Sequence, residues 1–203
     1  HIFREYDIRG VVEQDLTGDA PREIGRALGS ELRARLGVAA GQPLSVVVGH
    51  DNRPSSPALA AEAIAGLRET GADVVFVGTV PTPVLYWAAM RFGTDAGMQI
   101  TGSHNPPEYN GFKMLVGDRS FYGEAIQGLK ARIREGRWAT GEGSLEERAI
   151  LDDYVDDVAG RFDLARRVKV VADCGNGAGS LVAVKLLERL GADVIPLYCE
   201  SDG

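Results

Sequence analysis

The chain has 203 residues, 44% of them hydrophobic and 25% charged, with a net charge of −7 at pH 7. That composition suits a globular protein that builds its core without disulfide or metal staples. The acidic balance argues against general binding to nucleic acids or membrane surfaces, because phosphate backbones and anionic lipids repel it, yet it leaves room for a local cationic pocket.

The opening His1-Ile2-Phe3-Arg4-Glu5 carries no signal-peptide core, and no apolar run approaches a membrane span, so a cytoplasmic setting is expected. The first residue is not Met, and a few residues are expected to be missing before it. A helix is expected over 21–36, where Ile24, Leu28, Leu32 and Leu36 recur at i, i+4 and Pro21 suits the first turn. The valine-rich run 44–49 reads as a buried strand. Ser55-Ser56-Pro57 then opens a helix ended by Gly71. A strand over 74–77 leads to Pro81 or Pro83, which opens a helix to about Phe92.

Residues 96–100 form the next expected strand, 111–116 another, and 124–135 a helix. Strands separated by helices imply parallel pairing, with functional loops at the carboxyl ends of the strands. The polar, glycine-rich stretch 137–144 suggests a boundary, and 145–162 an acidic linking helix. A second unit follows, with a strand over 168–172, a helix over 181–190 and a strand over 194–197. The expected fold is thus α/β: a mixed, mainly parallel sheet sandwiched by helices in a first domain over 1–143, then the linking helix and the beginning of a second, similar α/β domain over 144–203. Gly71-Ala72-Asp73-Val74 recurs as Gly191-Ala192-Asp193-Val194, each between a helix and a strand, which suggests a repeated α/β unit, with chance the alternative, since a glycine cap before a strand is common. Two strands cannot form a finished layer, so the chain reads as part of a longer protein. Cys174 and Cys199 lie in or beside expected strands and read as small buried thiols rather than halves of a bridge.

Chemistry concentrates in Thr101-Gly102-Ser103-His104-Asn105-Pro106-Pro107. Small polar residues after a strand, stiffened by two prolines, hold a hydroxyl and backbone N–H groups at a strand end, which suits phosphate. An ordinary Gly-Ser/Asn-Pro turn is an equal reading of the composition. A serine hydrolase is disfavoured, because neighbours on an extended segment point to opposite sides and no Gly-x-Ser-x-Gly elbow is present. Lys113 lies ten residues after Ser103, beyond Gly111, whose capacity for positive φ would turn the chain back and let the lysine face the same cavity; a solvated lysine on a strand is the commoner alternative. At the front, Arg4, Tyr6, Asp7 and Arg9 alternate with apolar residues. An edge strand with surface charge explains them as well as a phosphate-binding arginine does.

Phe3-Arg4-Glu5-Tyr6-Asp7-Ile8-Arg9-Gly10 resembles the opening motif of the α-D-phosphohexomutases. Thr101 to Lys113, Pro81-Thr82-Pro83 and Asp173-Cys174-Gly175-Asn176-Gly177 resemble further segments of that family in the same order, and the wording of the serine loop is that of its phosphomannomutase/phosphoglucomutase branch. The resemblance implies interconversion of hexose 1-phosphate and hexose 6-phosphate through a phosphoserine and a hexose 1,6-bisphosphate intermediate. It implies Ser103 as phosphoryl carrier and, through its phosphate, as a Mg²⁺ ligand. It implies His104 in contact with the reacting groups, Lys113 as proton-transfer or electrostatic partner, Arg9 on the transferring phosphate, and Tyr6 lining the sugar site. Hexose phosphates and the remaining domains of the same enzyme are the implied partners, with no nucleic acid and no membrane. Asp51 and Arg53 match a further family segment and are expected to support the serine loop, a capped helix-entry turn being at least an equal reading. His50 stands where the family carries a basic Arg, and the glycine run after Asp173 reads as a tight strand-to-helix turn. The family's metal loop, an Asp-Gly-Asp-Gly-Asp-Arg run, is absent from these residues, so this piece alone is expected to be inactive. A non-catalytic sugar-phosphate binding module remains the alternative.

Overall fold

The computed structural model describes residues 1–202. β1 (Ile8–Val11) is followed by α1 (Ala20–Leu36), β2 (Ser45–His50), α2 (Ser56–Glu69), β3 (Asp73–Thr79), α3 (Thr82–Phe92) and β4 (Ala96–Ile100). Then come β5 (Tyr109–Val116), the short β6 (Arg119–Ser120), α4 (Glu124–Glu135), β7 (Leu145–Glu147) and α5 (Leu151–Ala159). The chain closes with β8 (Lys169–Asp173), a 3₁₀ turn (Ala178–Leu181), α6 (Ala183–Arg189) and β9 (Asp193–Leu197).

Six strands form one sheet in the order β1-β5-β4-β2-β3-β7, with β6 added to β5. Strands β4, β2, β3 and β7 run parallel, while β5 is antiparallel to both β4 and β1. The sheet is therefore mixed and mainly parallel at its centre, as expected. The parallel strands are bounded by helices because each crossover must return the chain to the same end of the sheet. β4 and β5 need no crossover, and the loop between them carries the serine motif.

Helices α1, α2 and α4 cover one face over a core that includes Ile24, Leu28, Leu32, Val46, Val48, Met98, Phe112 and Leu129. The opposite face packs Val47, Val77, Val84, Leu85 and Leu115 against α3 and α5. Strand β2 is buried on both faces, as its unbroken valine run requires. The stripe read for α1 holds at Ile24, Leu28 and Leu32, but Leu36 is exposed in the last turn, where Gly37 takes a left-handed conformation and ends the helix.

The expected linking helix over 145–162 is shorter. Its first residues, Leu145–Glu147, instead extend the first sheet as β7, paired in parallel with Val74, Val75 and Phe76. Asp73 fixes that edge by accepting hydrogen bonds from the Ser144 backbone N–H at 2.8 Å and its hydroxyl at 2.7 Å. The unsatisfied edge of β3 outweighed the helical character of the acidic residues.

The repeated Gly-Ala-Asp-Val segment is a repeated corner. Gly71 and Gly191 both have positive φ, at 80° and 86°. Ala72 N–H bonds back to Leu67 O, as Ala192 N–H does to Leu187 O. Asp73 and Asp193 then open β3 and β9, pairing with Ser45 and Lys169 at the starts of β2 and β8.

In the second unit β8 and β9 form a two-stranded parallel sheet. Val171, Ile195 and Leu197 are exposed on it. The unit rests on the first through α5 against α6 and through Val182, which joins the second core. Trp87 Nε1 also donates to Asp157 at 2.7 Å, and its ring meets Tyr154 edge-on. Cys174 and Cys199 are free, half-buried thiols with sulfurs 3.4 Å apart, and burial together with Cys199 pushes the Cys174 thiol up to about 11. Among the described residues no helix is long and apolar enough to cross a membrane.

Candidate active site

The carboxyl ends of β2, β3, β4 and β8 open onto one cleft of about 710 Å³. Its walls are Asp51 to Pro54 after β2, Pro81 to Pro83 with Tyr86 after β3, Thr101 to Pro107 after β4, and Gly175 to Ala178 after β8. Lys113 reaches the same cleft from β5. Strand ends make such clefts because the chain leaves the sheet there and its loops are free of ladder hydrogen bonds.

Ser103 is exposed within this cleft and has a left-handed backbone, φ 55°. Its N–H is held by Thr101 Oγ1 at 2.8 Å, while Asn105 N–H and Nδ2 both donate to Gly102 O. The positive φ reverses an expectation. Ser103 and His104 do not point to opposite sides: Ser103 Oγ lies 3.4 Å from His104 Nδ1. His104 is exposed, and no carboxylate orients it among the described residues, so the third member of a hydrolase triad has no candidate.

Gly111 also differs from its expected role. It lies extended within β5, and positive φ is not what it supplies. A Cβ there would stand 2.1 Å from Ile8 O, so glycine permits the close pairing of β1 and β5. That pairing sets Arg9 opposite Gly111 and Ile8 opposite Phe112, which carries the opening motif to the edge of the cleft.

Asp7, nearly buried, joins the cations. One of its carboxylate oxygens is paired with the Arg9 guanidinium and lies 3.4 Å from Lys113 Nζ. Arg9 itself does not line the cleft; it stands one carboxylate away, with its Nε buried and unpartnered. Tyr6 lines a neighbouring hollow of about 290 Å³ with Tyr86, Ser120, Tyr122, Met114 and the same Lys113. Tyr6 is exposed, and its ring lies 6.3 Å from that of Tyr122. Burial pushes the Tyr86 phenol up, which keeps it a neutral hydroxyl at the join of the two hollows. Sequence reasoning missed Asp7, Tyr86 and Tyr122 as site residues, because nothing in periodicity distinguishes a tyrosine facing a hollow from one on a surface.

Asp51 and Arg53 meet the serine loop directly. Asp51 Oδ2 accepts from Gly102 N–H at 3.1 Å, and Oδ1 accepts from Ser56 Oγ at 2.5 Å and Arg53 N–H at 3.1 Å. Asn110 Nδ2 donates to Ser55 and Ser56 Oγ, tying β5 to the same helix entry. His50 is buried, with Nδ1 2.7 Å from Asp51 O and its ring beside Phe76, a packing role. The glycine turn after β8 lines the cleft and is tied across it, since Asn52 Nδ2 donates to Asn176 O at 2.8 Å.

A family model described as phosphoglucomutase/phosphomannomutase, alpha/beta/alpha domain I, matches residues 1–139. The chain belongs to the phosphoglucomutase/phosphomannomutase family. It is 48% identical over 202 residues to a phosphomannomutase/phosphoglucomutase of Pseudomonas aeruginosa, covering all of this chain and 42% of that protein. It is 43% identical to a phosphoglucomutase of Neisseria gonorrhoeae, covering 43% of it. A crystal structure of a phosphoglucomutase/phosphomannomutase family protein from Burkholderia thailandensis superposes with a TM-score of 0.90 at 44% identity, over 98% of this chain and 44% of that one. The chain thus spans less than half the length of the relatives it matches.

Mg²⁺ is the metal this family implies, and the residues present do not make a site for it. Asp51 is the one acidic side chain on the cleft wall among the described residues, and both its oxygens are committed. No group of three His, Cys, Asp or Glu stands together among the described residues. A single phosphate oxygen on Ser103 falls short of the octahedral oxygen shell that Mg²⁺ demands.

Proposed function

We propose that this chain is the phosphoserine-bearing part of a phosphohexomutase that interconverts hexose 1-phosphate and hexose 6-phosphate of mannose or glucose. The observation that carries the reading is the exposed Ser103 hydroxyl on a left-handed turn, in a strand-end cleft shared with Lys113. In this reading residues 1–143 are the phosphoserine domain, and 144–203, whose first residues lend β7 to that domain's sheet, carry the linking helix and the opening of the second domain.

A sugar hydroxyl attacks the phosphorus of phosphorylated Ser103. The new P–O bond to the sugar forms as the P–Oγ bond breaks, and the hydroxyl proton ends on Ser103 Oγ. His104, within 3.4 Å of that oxygen, is placed to pass it. The product is a hexose 1,6-bisphosphate, which turns over and returns its other phosphoryl group to Ser103. Transfer spreads negative charge over the equatorial oxygens, so positioned cations do most of the catalytic work. Lys113 supplies one at the cleft wall. Arg9, paired with Asp7 behind Lys113, adds positive charge at the edge of the cleft. Tyr6 lines the hollow where a sugar ring would extend.

The Mg²⁺ ligands other than the phosphate, and the remaining domains that close on the sugar, belong to chain outside these residues. A cytoplasmic setting is part of the same proposal. Replacing Ser103 with Ala in the full-length protein tests it: mutase turnover is expected to vanish, and near-normal turnover would refute the reading.

A further inference from the structure

Arg53 stands in the wall of the cleft beside Ser103, where an arginine would ordinarily be assigned to the substrate phosphate. Its hydrogen bonds say otherwise. Nη2 donates to Ser103 O at 3.1 Å and to Asn105 O at 2.7 Å. Nη1 donates to Pro106 O at 2.7 Å and to Tyr109 O at 3.1 Å. Nε lies 3.3 Å from Asp51 Oδ2. A guanidinium has five N–H donors, and the Nη1 and Nη2 donors are spent on carbonyls of the serine loop, while Nε stands against the Asp51 carboxylate as an ion pair.

We propose that Arg53 is a positioning residue: a clamp that gathers the carbonyls of the serine loop around one planar cation and so fixes the left-handed turn on which Ser103 sits. It binds no substrate phosphate. The proposal deepens the function proposed above and rests on it for its kinetic arm.

Three features support it. The four carbonyls fall within 103–109, the loop that must present the hydroxyl. Asp51 both neutralises the guanidinium and accepts from Gly102 N–H, so one acid–base pair grips the loop by its acceptors and by a donor. Gly102 is shaped to the clamp, since a Cβ there would stand 2.4 Å from Arg53 Cζ and Nε. Lysine cannot replace the fork, because three donors on one nitrogen do not span four carbonyls spread along a loop.

The test uses the full-length protein with Arg53→Lys, Arg53→Ala and Gly102→Ala. The last pushes on the clamp while keeping the charge. Amide exchange is read at Gly102, Ser103, Asn105 and Tyr109, whose N–H groups are hydrogen-bonded in the clamped loop. Mutase kcat and KM for hexose phosphate are read alongside, with thermal melting as the control for folding.

All three variants are expected to exchange faster at those amides and to lose roughly 10²-fold in kcat with KM unchanged, the cost of a misplaced reacting group. Added guanidinium ion is expected to restore part of the kcat of Arg53→Ala but not of Gly102→Ala. A raised KM with kcat and loop exchange unchanged would overturn the proposal and make Arg53 a phosphate ligand. Should the unaltered protein show no mutase turnover, the proposed function fails, while the exchange data still decide the clamp. If Arg53→Ala does not fold, Arg53→Lys and Gly102→Ala carry the same comparison.

Discussion

Two thiols show how position, rather than residue type, sets reactivity in this chain. Cys174 and Cys199 face each other at 3.4 Å beyond the ends of β8 and β9, and the Cys174 thiol is pushed up to about 11, chiefly by burial. The thiolate is the species that alkylates. Iodoacetamide labelling of Cys174, read by peptide mass, is therefore expected to keep accelerating up to pH about 11 rather than level off at the pH of an ordinary thiol. The same dependence on local geometry limited what was legible at Ser103. The residue types named a phosphate-suited loop, and the structure places that loop at a strand end, yet the direction of Ser103 relative to His104 was misread. Extended alternation was the natural assumption, and a single positive φ cancels it. Gly111 was legible as necessary but not for the right reason, because a close strand pairing depends on β1, a hundred residues away in sequence.

Among the elements, the helices and central strands could be read from apolar spacing and from proline and glycine boundaries; α4, for instance, spans Glu124–Glu135 as expected. β7 was not legible, since three exposed residues, Leu-Glu-Glu, carry no strand signal of their own. It exists because β3 offers an unpaired edge and Asp73 anchors the chain beside it. Hydrogen bonds from the Ser144 backbone and hydroxyl hold the Asp73 carboxyl below the usual carboxylate range. A depressed folded-state pKa contributes stability above the unfolded value and loses it as pH falls through the folded one. Asp73→Ala is thus expected to cost about 1 kcal/mol at neutral pH. That difference should fade in urea unfolding as pH drops below about 4. An unchanged difference at low pH would show that the carboxylate is not the anchor.

For the whole molecule, the decisive feature is convergence. Three parallel strands of the first sheet, β2, β3 and β4, end at one cleft, and the second unit reaches it through the glycine turn after β8 and the Asn52–Asn176 bond. The chain spans 42% of the length of the Pseudomonas aeruginosa relative. Within these residues the cleft has a hydroxyl, the Lys113 ammonium and an Asp51–Arg53 pair committed to the serine loop, but no Mg²⁺ shell. Residues 1–203 alone are accordingly expected to give no mutase turnover in a coupled hexose-phosphate assay, whereas turnover by this piece would show that its own side chains suffice.

The most direct measurement is the fate of phosphate on Ser103. Full-length protein treated with hexose 1,6-bisphosphate and digested should yield the peptide containing Thr101 to Lys113 with one added phosphate, located on Ser103 by fragmentation. Subsequent hexose 1-phosphate should remove it as bisphosphate forms. A turning-over enzyme whose Ser103 never carries phosphate, or carries it without exchange into sugar, would contradict the account.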